Sequence, residues 1–181
     1  METVGDAGLQ AWIERSRSRA GITVVPLERA RRVLTAELRA GRSVGLVADR
    51  DLTGGGVLVP FFGAPARLPV GPALLALETG APLFVGGARR AHGGRYIGRL
   101  ELLRAPEAGA RRERTMALVN GTVAIFERLI ADAPEQWWGC FHAIWPDLEL
   151  AGAGAEAAPA RPAGPATADS TAGETGTAAV A

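Results

Sequence analysis

The chain has 181 residues, 48% of them apolar, with 20 basic against 19 acidic side chains and a net charge of +1. That is enough for one domain with a real core plus a tail, and the near-balance of charge excludes the bulk positive field of a nucleic-acid binder. A single cysteine, Cys140, excludes a disulfide framework and a Cys-based zinc centre and fits a cytoplasmic setting.

Leu9–Ala20 reads as a short helix with Leu9, Trp12 and Ile13 on one face and Arg15, Arg17 and Arg19 on the other, stopped by Gly21. Ile22–Leu27 has the residue types of a strand, and Glu28–Ala40 follows helical spacing, with Gly41 as its C-terminal cap. The apolar run Val44–Ala48 reads as a buried strand. Strand, helix and strand in this order predict a right-handed, parallel βαβ unit.

The stretch from Val44 to Leu75 organises the rest. Its strand ends abruptly in Asp49, Arg50 and Asp51, and Gly54–Gly56 precede a second apolar segment, Val57–Phe62. Charged residues at the end of a buried strand are a common address for a binding site in an α/β protein. Pro72–Thr79 then reads as a short apolar helix closed by Gly80, and Pro82–Ala88 as another buried strand. Arg95–Leu103 alternates in part, which suits a strand antiparallel to its neighbour across the tight Gly93-Gly94 turn.

Glu113–Ala131 is the clearest long helix, with Met116, Val119, Val123, Phe126 and Ile130 in one stripe and Ala133-Pro134 at its end. An aromatic segment, Trp137, Trp138, Phe141 and Trp145, follows; it suits either packing over the sheet or contact with lipid. Residues 1–150 therefore form one α/β domain: a mainly parallel sheet flanked by helices, with one hairpin. Residues 151–181 are almost free of large apolar side chains and are expected to be a disordered Ala/Gly/Pro/Thr-rich tail. Met1–Asp6 has neither the basic start nor the apolar core of a signal peptide, and no apolar run reaches the roughly 18–20 residues of a membrane span. Membrane contact is accordingly expected to be peripheral.

Three features invite chemistry. Asp49-Arg50-Asp51 suits either a loop-edge ion cluster or a site in which Arg50 holds a phosphate and a carboxylate orients a histidine. Arg17 reads by itself as a solvated helical arginine, one of three at alternate positions. All twenty basic residues are Arg, which codon usage explains as readily as phosphate chemistry. Gly54–Gly56 lacks the Lys-Ser/Thr of a P-loop and the spacing of a dinucleotide fold, so a nucleotide-binding reading is weak.

Three blocks in order, Asp49-Arg50-Asp51-Leu52, Phe61-Phe62-Gly63 and Pro69-Val70-Gly71-Pro72-Ala73-Leu74-Leu75, resemble the bacterial lysophospholipid acyltransferase superfamily. Within it the phosphatidylinositol mannoside acyltransferase branch, akin to the lipid A lauroyl acyltransferases, is most similar, over roughly Ile13 to Asp147. The resemblance implies transfer of a fatty acyl group from acyl-CoA or acyl carrier protein, with no tightly bound cofactor, to a hydroxyl of a phosphatidylinositol mannoside-like glycolipid. It places the protein peripherally at the cytoplasmic face of the plasma membrane. It makes Asp49 and Asp51 the catalytic candidates, without choosing between them, and Arg17 and Arg50 the substrate-binding ones.

The superfamily carries a His-x-x-x-x-Asp/Glu motif whose histidine is the general base. His142-Ala143-Ile144-Trp145-Pro146-Asp147 satisfies that pattern literally. It falls in the family's closing Trp-rich block, however, and Pro146 breaks any helix that would return Asp147 to His142, so it reads as a coincidence. The family's motif lies upstream of the Arg and Asp blocks. The chain is therefore expected to be a truncated, C-terminal part of such an enzyme, with the N-terminal half encoded upstream. The rival expectation is a non-catalytic remnant or a partner subunit that binds lipid head groups.

Overall fold

The computed structural model describes residues 5–142, 144 and 145. The expected tail, 151–181, lies outside the described residues, as does Asp147. Four helices and four strands are present among the described residues: α1 Ala7–Arg19, α2 Leu27–Arg39, β1 Val57–Phe61, β2 Ala64–Leu68, α3 Gly71–Thr79, β3 Leu83–Arg90, β4 Tyr96–Leu103 and α4 Arg111–Ala131.

The strands form two separate two-stranded antiparallel sheets, β1–β2 and β3–β4. The expected mainly parallel sheet and its βαβ unit are thereby overturned. Ile22–Pro26 and Val44–Ala48 belong to no strand, and Ile22 and Val47 are 54% and 86% exposed. The physical reason is that a parallel strand needs paired neighbours and cover on both faces. These segments have the composition of such strands but, among the described residues, no strand beside them.

The hairpin β1–β2 turns at Phe62-Gly63, both with positive φ (51° and 78°), as the tightest two-residue hairpin turn requires. Left-handed backbone at a non-glycine residue costs roughly 1–2 kcal/mol. The turn is anchored by Glu127 of α4, whose Oε1 accepts the Phe62 N–H at 2.6 Å. Alternate residues of the hairpin point inward: Val59, Phe61, Ala66 and Leu68 are buried, with Phe61 and Ala66 fully so.

That inward face packs on α3 and α4 through Ala73, Leu118, Val119 and Val123, with Ile144 completing the core. The expected stripe on α4 is real. Val119 and Val123 are buried in the core, and Met116, Phe126 and Ile130 pack around them. Glu113 caps the helix start by accepting the Ala110 N–H at 3.0 Å. The second hairpin, β3–β4, forms across the glycine turn as expected and lies on α4, where Gly121 admits Leu103; a Cβ there would come within 2.6 Å of Leu103 Cδ1.

Two helices are held more lightly. α2 meets α3 through Glu78, which faces Arg31 and Arg39 at 3.5 and 3.7 Å. α1 starts on Asp6, which accepts the Leu9 N–H, yet none of its residues is buried. No helix among the described residues is long and apolar enough to cross a membrane.

Candidate functional site

The Asp49-Arg50-Asp51 cluster does not cap a strand. It opens the loop that leads into β1, and each of its three side chains has a different job.

Asp51 faces its own loop. Its Oδ1 accepts the Thr53 N–H and the Thr53 hydroxyl, both at 3.0 Å, and its Oδ2 accepts the Gly56 N–H at 2.6 Å. This is an Asx-type turn, the local structure that aspartate favours where the chain must reverse. Partial burial, the largest single influence, pushes the Asp51 carboxyl up. Hydrogen bonds from Thr53 N–H, Gly56 N–H, the Thr53 hydroxyl and Gly54 N–H together outweigh it and hold the group below the usual carboxylate range. The amides of the glycine run are thus turned toward Thr53 and Asp51 rather than outward to a phosphate. Gly56 has no room for a side chain: a Cβ would lie 2.5 Å from the Leu68 carbonyl oxygen.

Asp49 faces the end of the described chain. Its Oδ2 accepts the indole N–H of Trp137 at 2.9 Å. Trp137 stands in an aromatic box, edge-on to Phe61 (5.7 Å) and to Trp145 (6.1 Å), while Trp145 stacks on Phe61 and donates its indole N–H to the Phe61 carbonyl at 3.1 Å. The box welds the turn after α4 to the tip of the first hairpin.

Arg50 faces His142, with Nη1 3.1 Å from Nδ1. A guanidinium only donates, so Nδ1 is the acceptor and the imidazole carries its proton on Nε2 in this arrangement. Both groups border solvent, and beside them Trp138 and Phe141 stand edge to face at 5.9 Å, 79% and 76% exposed. The aromatic segment therefore divides: Trp137 and Trp145 pack, whereas Trp138 and Phe141 do not.

Arg17 sits exposed in the last turn of α1, and its carbonyl accepts the Ala20 and Ile22 amides. The hydrogen bonds of the Asp49–Asp51 cluster given above do not include it. Trp137 and His142 are the residues that sequence reasoning did not bring to the cluster. Among the described residues no three His, Cys, Asp or Glu side chains converge to hold a metal.

The arrangement gathers one half-buried guanidinium, one exposed imidazole, one carboxylate braced by an indole and an adjoining aromatic pair; a guanidinium of this kind can address an anionic group. The profile of the bacterial lipid A biosynthesis acyltransferases matches residues 5–145, most of the chain, and the chain belongs to that family. Over 72 residues it is 54% identical to the phosphatidylinositol mannoside acyltransferase of Mycobacterium tuberculosis (strain ATCC 25618 / H37Rv), a stretch that is 38% of this chain and 23% of that protein. The protein of the same name from Mycolicibacterium smegmatis (strain ATCC 700084 / mc(2)155) is 49% identical over 72 residues, 38% of this chain and 24% of that one. The chain thus spans about a quarter of the length of the curated relatives it matches.

Proposed function

We propose that the protein acts in glycolipid biosynthesis as part of an acyltransferase that moves a fatty acyl group from an acyl thioester, acyl-CoA or acyl carrier protein, to a hydroxyl of a phosphatidylinositol mannoside-like acceptor. The 54% identity to a phosphatidylinositol mannoside acyltransferase is the observation that carries this reading. In it Arg50 binds the acceptor phosphate by charge-assisted hydrogen bonds, and His142 holds the guanidinium in place by accepting from it. Asp49, braced by Trp137, lies close enough in sequence to act on the same head group. Trp138 and Phe141, exposed beside Arg50 and His142, suit the polar–apolar boundary of a bilayer and support peripheral contact with the cytoplasmic face of the plasma membrane.

The test compares the chain alone with a chimera in which it replaces the matched part of the Mycobacterium tuberculosis relative. Each is assayed with acyl-CoA and acyl carrier thioesters and with phosphatidylinositol mannoside as acceptor. The chimera is expected to transfer the acyl group, and the chain alone to show little turnover. Arg50→Ala in the chimera should lower kcat/KM about 10–100-fold, the worth of a charge-assisted contact. A folded chimera that is inert, or that does not distinguish mannosylated from plain phosphatidylinositol, overturns the proposal.

A further inference from the structure

The end of β3 is closed by a side chain. Just past the strand the Ala91 N–H is donated to the Arg95 carbonyl at 2.7 Å. The pair before it, Arg90 with Tyr96, is therefore one whose main-chain groups point out of the hairpin. Both such groups of Arg90 find Gln136. Its Oε1 accepts the Arg90 N–H at 2.6 Å, and its Nε2 donates to the Arg90 carbonyl at 3.2 Å. An amide N–H only donates and a carbonyl only accepts, so the two bonds fix which way the carboxamide faces. Nε2 also lies 3.3 Å from Glu135 Oε1, which takes its second proton. One side chain thus does for Arg90 what a residue of a neighbouring antiparallel strand would do, from 46 residues away.

The clasp matters because of the residue that follows it. Trp137 gives its indole N–H to Asp49 at 2.9 Å. Gln136 and Trp137 stand on one tight turn. The Gln136 N–H goes to the Ala133 carbonyl at 3.0 Å, and the Trp137 N–H goes to the Pro134 carbonyl at 3.2 Å. Ala133 is buried and bonded back to Ile130 of α4 at 3.1 Å, which fixes the root of the turn. Phe61 and Trp145 hold the ring of Trp137 in the core, but apolar contact is non-directional. An N–H···O bond needs alignment, so the turn that carries the indole has to be held in orientation as well as in place.

We propose that Gln136 is a positioning residue for the Asp49 carboxylate. By clasping the main chain of Arg90 it sets the turn from which Trp137 delivers its indole N–H to Asp49. The end of the second hairpin and the acid cluster then move as one. The kinetic consequence rests on the proposed action of Asp49 on the acceptor head group; the placing of the indole does not.

The experiment labels the full chain with 15N and follows the indole N–H of Trp137, assigned by its disappearance in Trp137→Phe. Gln136→Met keeps the length of the side chain and makes neither bond. In it the resonance is expected to move toward its position in Asp49→Ala, where the acceptor is gone, and its exchange with water to quicken at least tenfold. Gln136→Glu still accepts the Arg90 N–H and should give a smaller change in the same direction. Circular dichroism checks that each variant keeps its helices. An indole signal unchanged in both variants overturns the proposal, even if the unfolding free energy falls, because the clasp would then be a local brace only. In the chimera, Gln136→Met should lower kcat/KM about tenfold, as displaced groups do, and no further in an Asp49→Ala background. A further loss in that background overturns the proposal. An indole that moves while kcat/KM holds supports the clasp and counts against Asp49 as a group acting on the acceptor.

Discussion

The indole N–H of Trp137 reaches the carboxylate of Asp49 across 88 residues of sequence, at 2.9 Å and partly shielded from water. A hydrogen bond to a charged acceptor contributes more than a neutral one, roughly 1.5–3 kcal/mol. Trp137→Phe keeps most of the ring packing against Phe61 and Trp145 and deletes only the donor. It should lower the unfolding free energy by about 1.5–3 kcal/mol in denaturant titrations. In an Asp49→Ala background the same change should cost clearly less; equal costs in both backgrounds would show that the pair is not coupled.

Asp51 predicts a pH dependence with a definite sign. Its carboxyl is held below the ordinary range in the folded protein, so the folded state favours the ionised form. The stabilisation is present above the unfolded value, about pH 4, and is lost as pH falls through the folded one. Urea melts of the protein and of Asp51→Ala should therefore differ most at pH 6–7. The gap should narrow steadily below pH 4. A gap that widens toward acid would reverse the assignment.

Gly56→Ala should destabilise by about 1–3 kcal/mol, the cost of forcing a methyl group into a packed site. The obstacle is the Leu68 carbonyl, 2.5 Å from the new Cβ, and backbone of the neighbouring strand cannot step aside like a side chain. Gly55→Ala meets only the Thr53 hydroxyl at 3.4 Å and should fall within about 1 kcal/mol of the parent, near the ordinary cost or gain of a glycine replacement. The contrast in thermal midpoint between the two variants is the measurement.

Thr35 is buried in α2, and its hydroxyl has no hydrogen-bond partner among the described residues. A buried hydroxyl left unpaired costs about 1–3 kcal/mol. Thr35→Val keeps the shape and removes the polar atom. It should raise stability by about 1 kcal/mol or more in chemical denaturation. A loss of stability would mean that the hydroxyl does find a partner.

His142 separates two kinds of role. In the proposed function it is a positioning residue, as the acceptor for Arg50, and on that reading His142→Ala in the chimera should lower kcat/KM by less than Arg50→Ala does. Replacement of a general base would instead cost about 10²–10⁴-fold in kcat. His142→Gln, which can accept through its amide oxygen, should recover part of the loss. A collapse of kcat that glutamine does not rescue would make His142 the base.

The helices were legible because their apolar residues repeat at three and four; Met116, Val119, Val123, Phe126 and Ile130 needed no structure to be aligned. The Gly93-Gly94 turn likewise announced β3–β4. The first hairpin was not legible. Phe62-Gly63 is not one of the usual turn pairs, and Ala64–Leu68 was assigned to no element, although Ala66 and Leu68 are among the most buried of the described residues. Ile22–Leu27 and Val44–Ala48 failed in the opposite direction. Their composition is that of buried strands, but composition records what a segment could pair with and not what lies beside it. At the site, the local chemistry of Asp51, Thr53 and Gly56 is implicit in five residues of spacing. Trp137 and His142 come from 88 and 92 residues away, which no local pattern reports.

The aromatic box also sets a schedule for synthesis. Phe61, at the tip of the first hairpin, is covered by Trp145, 84 residues later. At about 5–20 residues per second a ribosome needs roughly 4–17 s to travel from one to the other. Until α4 and Trp137 emerge the hairpin has neither its Glu127 anchor nor a packing partner for Phe61, and an isolated hairpin is marginal at best. The hairpin tip is thus among the last parts of the described core to be closed during synthesis, and Trp145 is the residue whose arrival closes it.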